Sequence, residues 1–150
     1  MPKKRHEEAS RWYHQACYDL KAVAWNIEGG FYDTACFLAQ QAGEKALKSL
    51  LYVSGARRKA LLTHSVFEMV REVARTVESL GTLLEQAREL DLHYIPARYP
   101  NGLPSGYPHL VYSRDLAERA QRAAEALMAA IKTHYEAHGI LAEFEEKGDT

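Results

Sequence analysis

Residues Phe31–Val53 read FYDTACFLAQQAGEKALKSLLYV, and this stretch decides the fold that the sequence predicts. Small and apolar side chains recur in it at steps of three and four residues, which places them on one side of an α-helix. The first set of these side chains is Ala35, Leu38, Ala42, Ala46, Ser49 and Val53. The set that widens the stripe is Tyr32, Cys36, Ala39, Gly43, Leu47 and Leu50. Together they cover roughly half of the helix circumference, so this helix needs neighbours on two sides, either within a bundle or across a dimer.

The remaining side of this helix is polar, and its residues are Gln41, Glu44, Lys45 and Lys48. Glu44 and Lys48 have the i,i+4 spacing of a stabilising ion pair, which is common on solvated helix surfaces. The same four side chains could instead form a polar patch in a cleft, where Lys45 and Lys48 would meet anionic oxygen atoms. The helical pattern alone leaves both interpretations open.

The segments on either side of this helix have different patterns. Before it, apolar residues at helical spacing predict a helix over Glu7–Ile27, and the pair Gly29-Gly30 ends that helix. Because the turn is so short, the first two helices should form an antiparallel hairpin. After it, residues 54–64 are predicted to be a loop with a basic cluster. The residues of that cluster are Arg57, Arg58 and Lys59.

Two serines mark the beginnings of later helices. Ser65 and the glutamate three residues after it form a capping box, which predicts a helix over residues 64–77, and a short amphipathic helix follows over residues 82–92. Ser113 is predicted to cap the last long helix, and Gly139 to end it. The final residues, ILAEFEEKGDT, are interpreted as a short acidic tail.

Between these helices lies His93–Tyr112, HYIPARYPNGLPSGYPHLVY, whose four prolines and two glycines exclude a continuous helix or an interior strand. Its aromatic and aliphatic content is unlike that of a disordered segment, so we expect it to pack along the bundle. Its four tyrosines and Arg98 could stack on unpaired bases, or the tyrosines could close the loop onto the bundle.

These patterns predict an all-α protein, an up-and-down antiparallel bundle of four to five helices with a long Pro/Tyr-rich loop before the last long helix. The 150 residues, 47% hydrophobic and 26% charged, are expected to form a single domain over residues 1–150. The net charge of −1 argues against a dedicated duplex-DNA binder. No secretory or membrane-spanning segment is recognisable, and Cys17 and Cys36 suit buried positions in a reducing compartment, so a cytoplasmic location is expected.

The segment FYDTACFLAQQAGEKALKSLLYVSG, the triplet Thr63-His64-Ser65 and the loop Ala97-Arg98-Tyr99-Pro100 together resemble a HEPN domain, the higher eukaryotes and prokaryotes nucleotide-binding domain. The resemblance extends from Trp12 to Ile131. It implies a helical bundle that forms a homodimer or higher homo-oligomer and that acts with a small nucleotidyltransferase partner or on a nucleotide or RNA. Some members are toxin halves of toxin–antitoxin pairs, and some are metal-independent ribonucleases. The candidate site that it implies is Gln41, Glu44, Lys45, Lys48, His64, Arg98 and Tyr99.

The ribonuclease members carry an arginine and a histidine separated by four to six residues, and Arg58 with His64 has such a spacing. In that role His64 would be the general acid/base, and Arg58 would stabilise the charge that develops on phosphorus-bound oxygens. Arg98 has no histidine at this spacing, because the next one is His109. The competing hypothesis is an interaction module without catalysis, whose helices serve dimerisation and partner docking.

Two histidines near the end of the last long helix, His134 and His138, have an i,i+4 spacing that could bind zinc. No third ligand of suitable spacing is evident, and the H-E-x-x-H order is absent. The sequence therefore predicts no metal and no cofactor.

Overall fold

The computed structural model describes residues 2–55 and 58–148, and these ranges contain helices and loops but no strand. The α-helices are α1 (Pro2–Glu28), α2 (Tyr32–Ser54), α3 (Arg58–Leu62), α4 (Val66–Val73), α5 (Leu84–Asp91), α6 (Pro108–Val111), α7 (Arg114–Ala137) and α8 (Ile140–Gly148). Short 3₁₀ helices occupy Glu78–Leu83 and Pro100–Gly102. The predicted all-α helical bundle is confirmed. In the described ranges, no helix combines the length and the apolar character needed to cross a bilayer.

Helix α2 is the centre of the bundle. It forms a hairpin with α1, and it also packs against α4, α5 and α7. Gly43 makes the last two contacts close, because a Cβ atom added there would lie 2.8 Å from Leu90 of α5 and 3.4 Å from Leu127 of α7. The width of the apolar stripe on α2 is therefore explained by neighbours within one chain, and it needs no second copy.

The beginning of α4 is capped from two directions. The Ser65 hydroxyl accepts a hydrogen bond from the Glu68 backbone N–H at 3.1 Å, as the capping box predicts. The reciprocal half differs, because the Ser65 N–H donates to the Thr63 hydroxyl rather than to the Glu68 carboxylate. Asp91, the last residue of α5, accepts hydrogen bonds from the Val66 N–H at 2.6 Å, from the Phe67 N–H and from the Ser65 hydroxyl. This carboxylate satisfies N–H groups that a helix beginning leaves unpaired.

Two sequence predictions are wrong at the level of secondary structure. The predicted loop over residues 54–64 contains α3, and the predicted acidic tail is largely the helix α8. Phe144 explains why α8 forms, because its side chain is only 2% exposed and packs against the rings of Tyr13 and Tyr135. An apolar side chain buried in this way stabilises a short helix through tertiary contact rather than through its own propensity. The helix predicted over 64–77 is also shorter than expected, because it ends at Val73.

The segment His93–Tyr112 runs over the bundle with only two short helical turns, Pro100–Gly102 and α6. Four of its residues are buried, namely His93, Ala97, Pro108 and Tyr112. His93 Nδ1 and the Tyr112 hydroxyl are 3.0 Å apart, which ties the two ends of the segment together. The segment is thus fixed to the bundle at its ends and near Ala97, and this holds the residues around Arg98 against α2.

Candidate functional site

The acidic and basic residues of the polar stripe on α2 are not on a solvated surface. Glu44 is 4% exposed and Lys48 is 6% exposed. Lys48 Nζ lies 3.2 Å from Glu44 Oε2, and it also lies 5.2 Å from the centre of the Trp12 ring of α1. A buried ion pair of this kind needs further hydrogen bonds to offset the loss of hydration.

Those further hydrogen bonds converge on the other oxygen of Glu44. His64 Nδ1 lies 3.1 Å from Glu44 Oε1, and Gln40 Nε2 donates to the same atom at 3.3 Å. Gln40 also donates to the backbone carbonyl of His64 and accepts from Gln41. Since an ionised carboxylate only accepts, the His64 Nδ1 must carry the proton, and in the neutral imidazole Nε2 is the free acceptor. The His64 side chain is 56% exposed, so Nε2 is available to a ligand.

An aromatic ring connects His64 with Arg98. The His64 and Tyr94 rings are stacked with centres 4.9 Å apart, and the Arg98 guanidinium lies 4.6 Å from the centre of the same Tyr94 ring. Arg98 also lies against the rings of Phe37 and Tyr99, and its Nε donates to the Tyr94 carbonyl at 2.8 Å. We call His64, Tyr94, Arg98 and Tyr99 the His64–Arg98 surface. Within the described side chains, no carboxylate pairs with Arg98, so its outer N–H groups are available to a ligand.

Lys45 is bound to α1 rather than free. Its Nζ lies 2.6 Å from Asp19 Oδ2, and Gln15 of α1 donates to the other oxygen of that carboxylate at 2.9 Å. The Asp19 side chain is 9% exposed and that of Lys45 is 21% exposed, so the pair lies mostly within the α1–α2 interface. The charges of both lysines of the stripe are thus balanced by carboxylates of the same chain.

Of the basic cluster after α2, the structure describes only one side chain, that of Lys59. Arg57 is outside the described residues, and Arg58 begins α3 with a side chain that is likewise outside them. Lys59 lines two adjoining surface grooves together with Glu68 and Glu72 of α4. Neither Lys45 nor Lys48 lines these two grooves.

The remaining candidates from the sequence are two histidines and two thiols. His134 and His138 have ring centres 4.3 Å apart, but no group of three or more potential ligands occurs in the part of the chain that the structure describes. Cys17 and Cys36 are free cysteines. Burial raises the pKa of Cys36 to about 12, so this thiol stays protonated at neutral pH.

Sequence reasoning missed three members of these clusters. The sequence pattern places Gln40 in neither the apolar stripe nor the polar side of α2, although its amide organises Glu44 and His64. Asp19 is an acid among apolar positions of α1, which was the available signal for a buried partner of Lys45. Trp12 is one of the apolar residues at helical spacing in α1, and a pattern along one helix does not report which side chain of the next helix each residue contacts.

The fold and this cluster define a class of protein. It is an all-α bundle whose second helix carries a buried glutamine–glutamate–lysine network, next to an exposed histidine and a half-buried arginine. The family model described as HEPN domain matches residues 9–134. The chain therefore belongs to the HEPN domain family. No curated protein sequence matches it significantly.

Solved structures agree with this assignment. The chain is similar to a protein from Thermus thermophilus, with 34% identity, a TM-score of 0.77, and coverage of 84% of this chain and 97% of that chain. It is similar to an archaeal HEPN homologue, with 30% identity, a TM-score of 0.70, and coverage of 85% and 97%. It is also similar to a HEPN domain protein from Thermotoga maritima, with 32% identity, a TM-score of 0.66, and coverage of 84% and 98%.

Proposed function

We propose that this HEPN domain binds the phosphate groups of a nucleotide or of single-stranded RNA at the His64–Arg98 surface. The observation that carries the proposal is the state of Arg98, which is held by a backbone carbonyl and three aromatic rings but has no carboxylate partner among the described residues. A guanidinium with free N–H groups is suited to bind phosphate oxygens. Tyr99, which is 50% exposed, offers a ring on which a base can stack.

The two lysines of α2 have indirect parts in this proposal. Lys48 holds the Glu44 carboxylate in place, and Glu44 in turn orients His64. Lys45 can contribute to phosphate binding only in competition with Asp19. The direct cationic contact is therefore assigned to Arg98, and Gln41 acts through Gln40.

The partners that the family resemblance implies belong to the same proposal. We infer a homodimer in which two His64–Arg98 surfaces face one shared cleft, and a small nucleotidyltransferase as the protein partner, with the domain as the toxin half of a toxin–antitoxin pair. Trp25, which is 75% exposed, and Leu110, which is 64% exposed, are candidate contacts for a protein partner. Two free cysteines support a reducing, cytoplasmic location.

The test compares two arginine variants in a titration with a fluorescently labelled oligouridylate. Arg98→Ala is expected to weaken binding roughly tenfold, because one charge-assisted hydrogen-bonding partner of phosphate is lost. Arg75→Ala is the matched control, since it removes the same charge from an exposed site whose arginine pairs with Glu72. Equal affinities of the Arg98→Ala and Arg75→Ala variants would contradict the proposal.

A second candidate function, metal-independent cleavage of RNA, is favoured by the geometry of His64. Glu44 fixes its Nδ1–H, and the Nε2 of this exposed side chain is then able to remove or deliver a proton. Arg98 and His64 contact the same Tyr94 ring although they are far apart in the sequence. Arg98 therefore competes with Arg58 as the residue that would stabilise the charge developing on the phosphate oxygens.

Incubation of RNA with and without a chelator separates these possibilities. Chelator-resistant cleavage that is lost in His64→Ala would establish the enzyme, and comparison of Arg58→Ala with Arg98→Ala would assign the arginine. RNA that is bound but stays intact would leave a binding module. RNA that is neither bound nor cleaved would favour the interaction module without a nucleic-acid ligand.

A further inference from the structure

A groove between α1 and α2 has no role in the function proposed above. Its volume is about 310 Å³, and its lining residues are Glu8, Arg11, Trp12, Gln15 and Lys45. This volume lies at the lower end of the range for small-molecule sites, which corresponds to a single nucleoside rather than a large ligand.

The groove adjoins the His64–Arg98 surface through a short series of contacts. The Trp12 ring centre lies 5.2 Å from Lys48 Nζ, Lys48 Nζ lies 3.2 Å from Glu44, and Glu44 lies 3.1 Å from His64. Only two side chains therefore separate the indole ring from the imidazole. Because Glu44 and Lys48 are themselves buried, a ligand that occupies both places would cross the surface above these two side chains.

The chemistry of the groove suits a base and its phosphate. Trp12 is stacked on Tyr52 with ring centres 6.4 Å apart, and the part of the indole that lines the groove is an aromatic surface on which a base can stack. The Arg11 side chain is 79% exposed at the edge of the groove, where its salt bridge with Glu8 is a weak surface interaction. The Gln15 amide nitrogen is bound by Asp19, which leaves its oxygen free to accept from a base N–H.

We propose that the Trp12 groove is a second base-binding subsite, so that the ligand is single-stranded RNA of several nucleotides rather than a mononucleotide. This inference rests on the proposed function, since it adds a second contact for the same ligand. One nucleotide occupies the His64–Arg98 surface, and a neighbouring nucleotide stacks on Trp12.

The chain offers its own reporter for this subsite. It contains two tryptophans, Trp12 and Trp25, and Trp25 is 75% exposed. In the Trp25→Phe variant Trp12 is the remaining indole, so its fluorescence reports on the groove without any change to the groove. A short oligouridylate is expected to quench this fluorescence, and to bind more tightly than uridine monophosphate. In Trp12→Phe, where Trp25 alone reports, the same titration is expected to leave the fluorescence unchanged.

A binding measurement complements the fluorescence. Trp12→Ala is expected to weaken oligouridylate binding about tenfold, the size of effect seen when a stacking ring is removed, while uridine monophosphate binding stays unchanged. Gln15→Ala, which leaves Trp12 in place, is expected to weaken it less. Circular dichroism of each variant separates lost binding from lost folding.

The outcomes distinguish the two proposals. If oligouridylate binds in an Arg98-dependent manner but leaves Trp12 fluorescence and Trp12→Ala affinity unchanged, the subsite is overturned and the proposed function stands. If oligouridylate quenches Trp12 and Arg98→Ala binds as the parent does, the groove is the site and the assignment to Arg98 fails. Absence of any oligouridylate binding overturns both.

Discussion

Helix α2 carries two polar clusters little more than one turn apart, and they differ in how completely their groups are satisfied. In the first, the Ser49 hydroxyl donates its single proton to the Ala9 carbonyl at 2.7 Å. The Tyr135 hydroxyl must therefore be the donor in its 2.8 Å hydrogen bond with Ser49. Ser49 and Tyr135 are fully buried, and the rings of Tyr13 and Phe144 pack around Tyr135. Burial raises the pKa of Tyr135, so its hydroxyl stays neutral. We call this the closed cluster.

The second cluster, the open cluster, begins with the same kind of buried contact but ends at the surface. Glu44 and Lys48 are buried and paired, whereas His64 is exposed and Arg98 keeps N–H groups without a described partner. This difference indicates which part of the helix is suited to bind a ligand. A polar cluster with every group satisfied stabilises the fold, and a cluster that leaves donors and acceptors at the surface is able to bind a ligand.

The largest expected effect on stability comes from removing the ring that α8 adds to the closed cluster. Phe144→Ala is expected to lower the free energy of unfolding by about 4 kcal/mol, because it leaves a cavity against Tyr13 and Tyr135. Urea denaturation measures this change. The RNA affinity of the folded variant should be unchanged. A loss of less than about 1 kcal/mol would mean that α8 does not dock on the bundle in solution.

A somewhat smaller effect on stability is expected at Glu44, where RNA binding should change as well. Glu44→Gln leaves the Lys48 ammonium buried without a negative partner, which should lower the free energy of unfolding by about 3 kcal/mol. It also removes the carboxylate that orients His64, so RNA binding should weaken. The control is the double variant Glu44→Gln, Lys48→Met, which should regain part of the stability but not the binding. Stability of Glu44→Gln equal to that of the parent would contradict a buried ion pair.

His93 gives a smaller, pH-dependent test of how much stability is lost when a buried polar atom lacks a hydrogen-bond partner. Its Nδ1 is bonded to Tyr112, but its buried Nε2 has no partner among the described residues. Burial lowers its pKa below the ordinary value of 6.5, an effect that Glu89 opposes and Arg119 reinforces. The unfolded chain therefore takes up the proton first, and stability should fall as the pH falls below 6.5.

Urea denaturation at about pH 7 and at about pH 5 measures this loss, which is at most about 1.4 kcal/mol per pH unit for one group. His93→Gln should reduce the pH dependence. His134→Gln is the control, because burial and then His138 lower the pKa of His134 as well, but this side chain lies nearer the surface. If the stability of His93→Gln depended on pH as that of the parent does, His93 would not be the group responsible for the loss.

Much of the fold could be predicted because its signals are local. The spacing of alanines along α2, the glycine pair after α1, and the capping serines Ser65 and Ser113 each act within one helix or turn. The helix α8 was missed because Gly139 and the acidic residues after it read as an end, while the burial of Phe144 depends on α1 and α7.

The candidate site was predictable only in its residue types. Periodicity grouped Glu44 with Lys48, but whether that pair is solvated or buried is decided by α1 and by the loop that carries His64. Sequence spacing paired His64 with Arg58, whereas the fold brings Arg98 to the same tyrosine ring as His64. Spacing along the chain does not report contacts across a loop of many residues.

The most direct test measures two properties in two variants, Arg98→Ala from the open cluster and Tyr135→Phe from the closed one. Arg98→Ala should bind oligouridylate roughly tenfold more weakly, while its free energy of unfolding changes by about 1 kcal/mol or less. Tyr135→Phe should lose about 1 kcal/mol of stability and bind oligouridylate as the parent does. Parent-like binding by Arg98→Ala, or equal weakening in both variants, would contradict the division of α2 into a structural and a binding cluster.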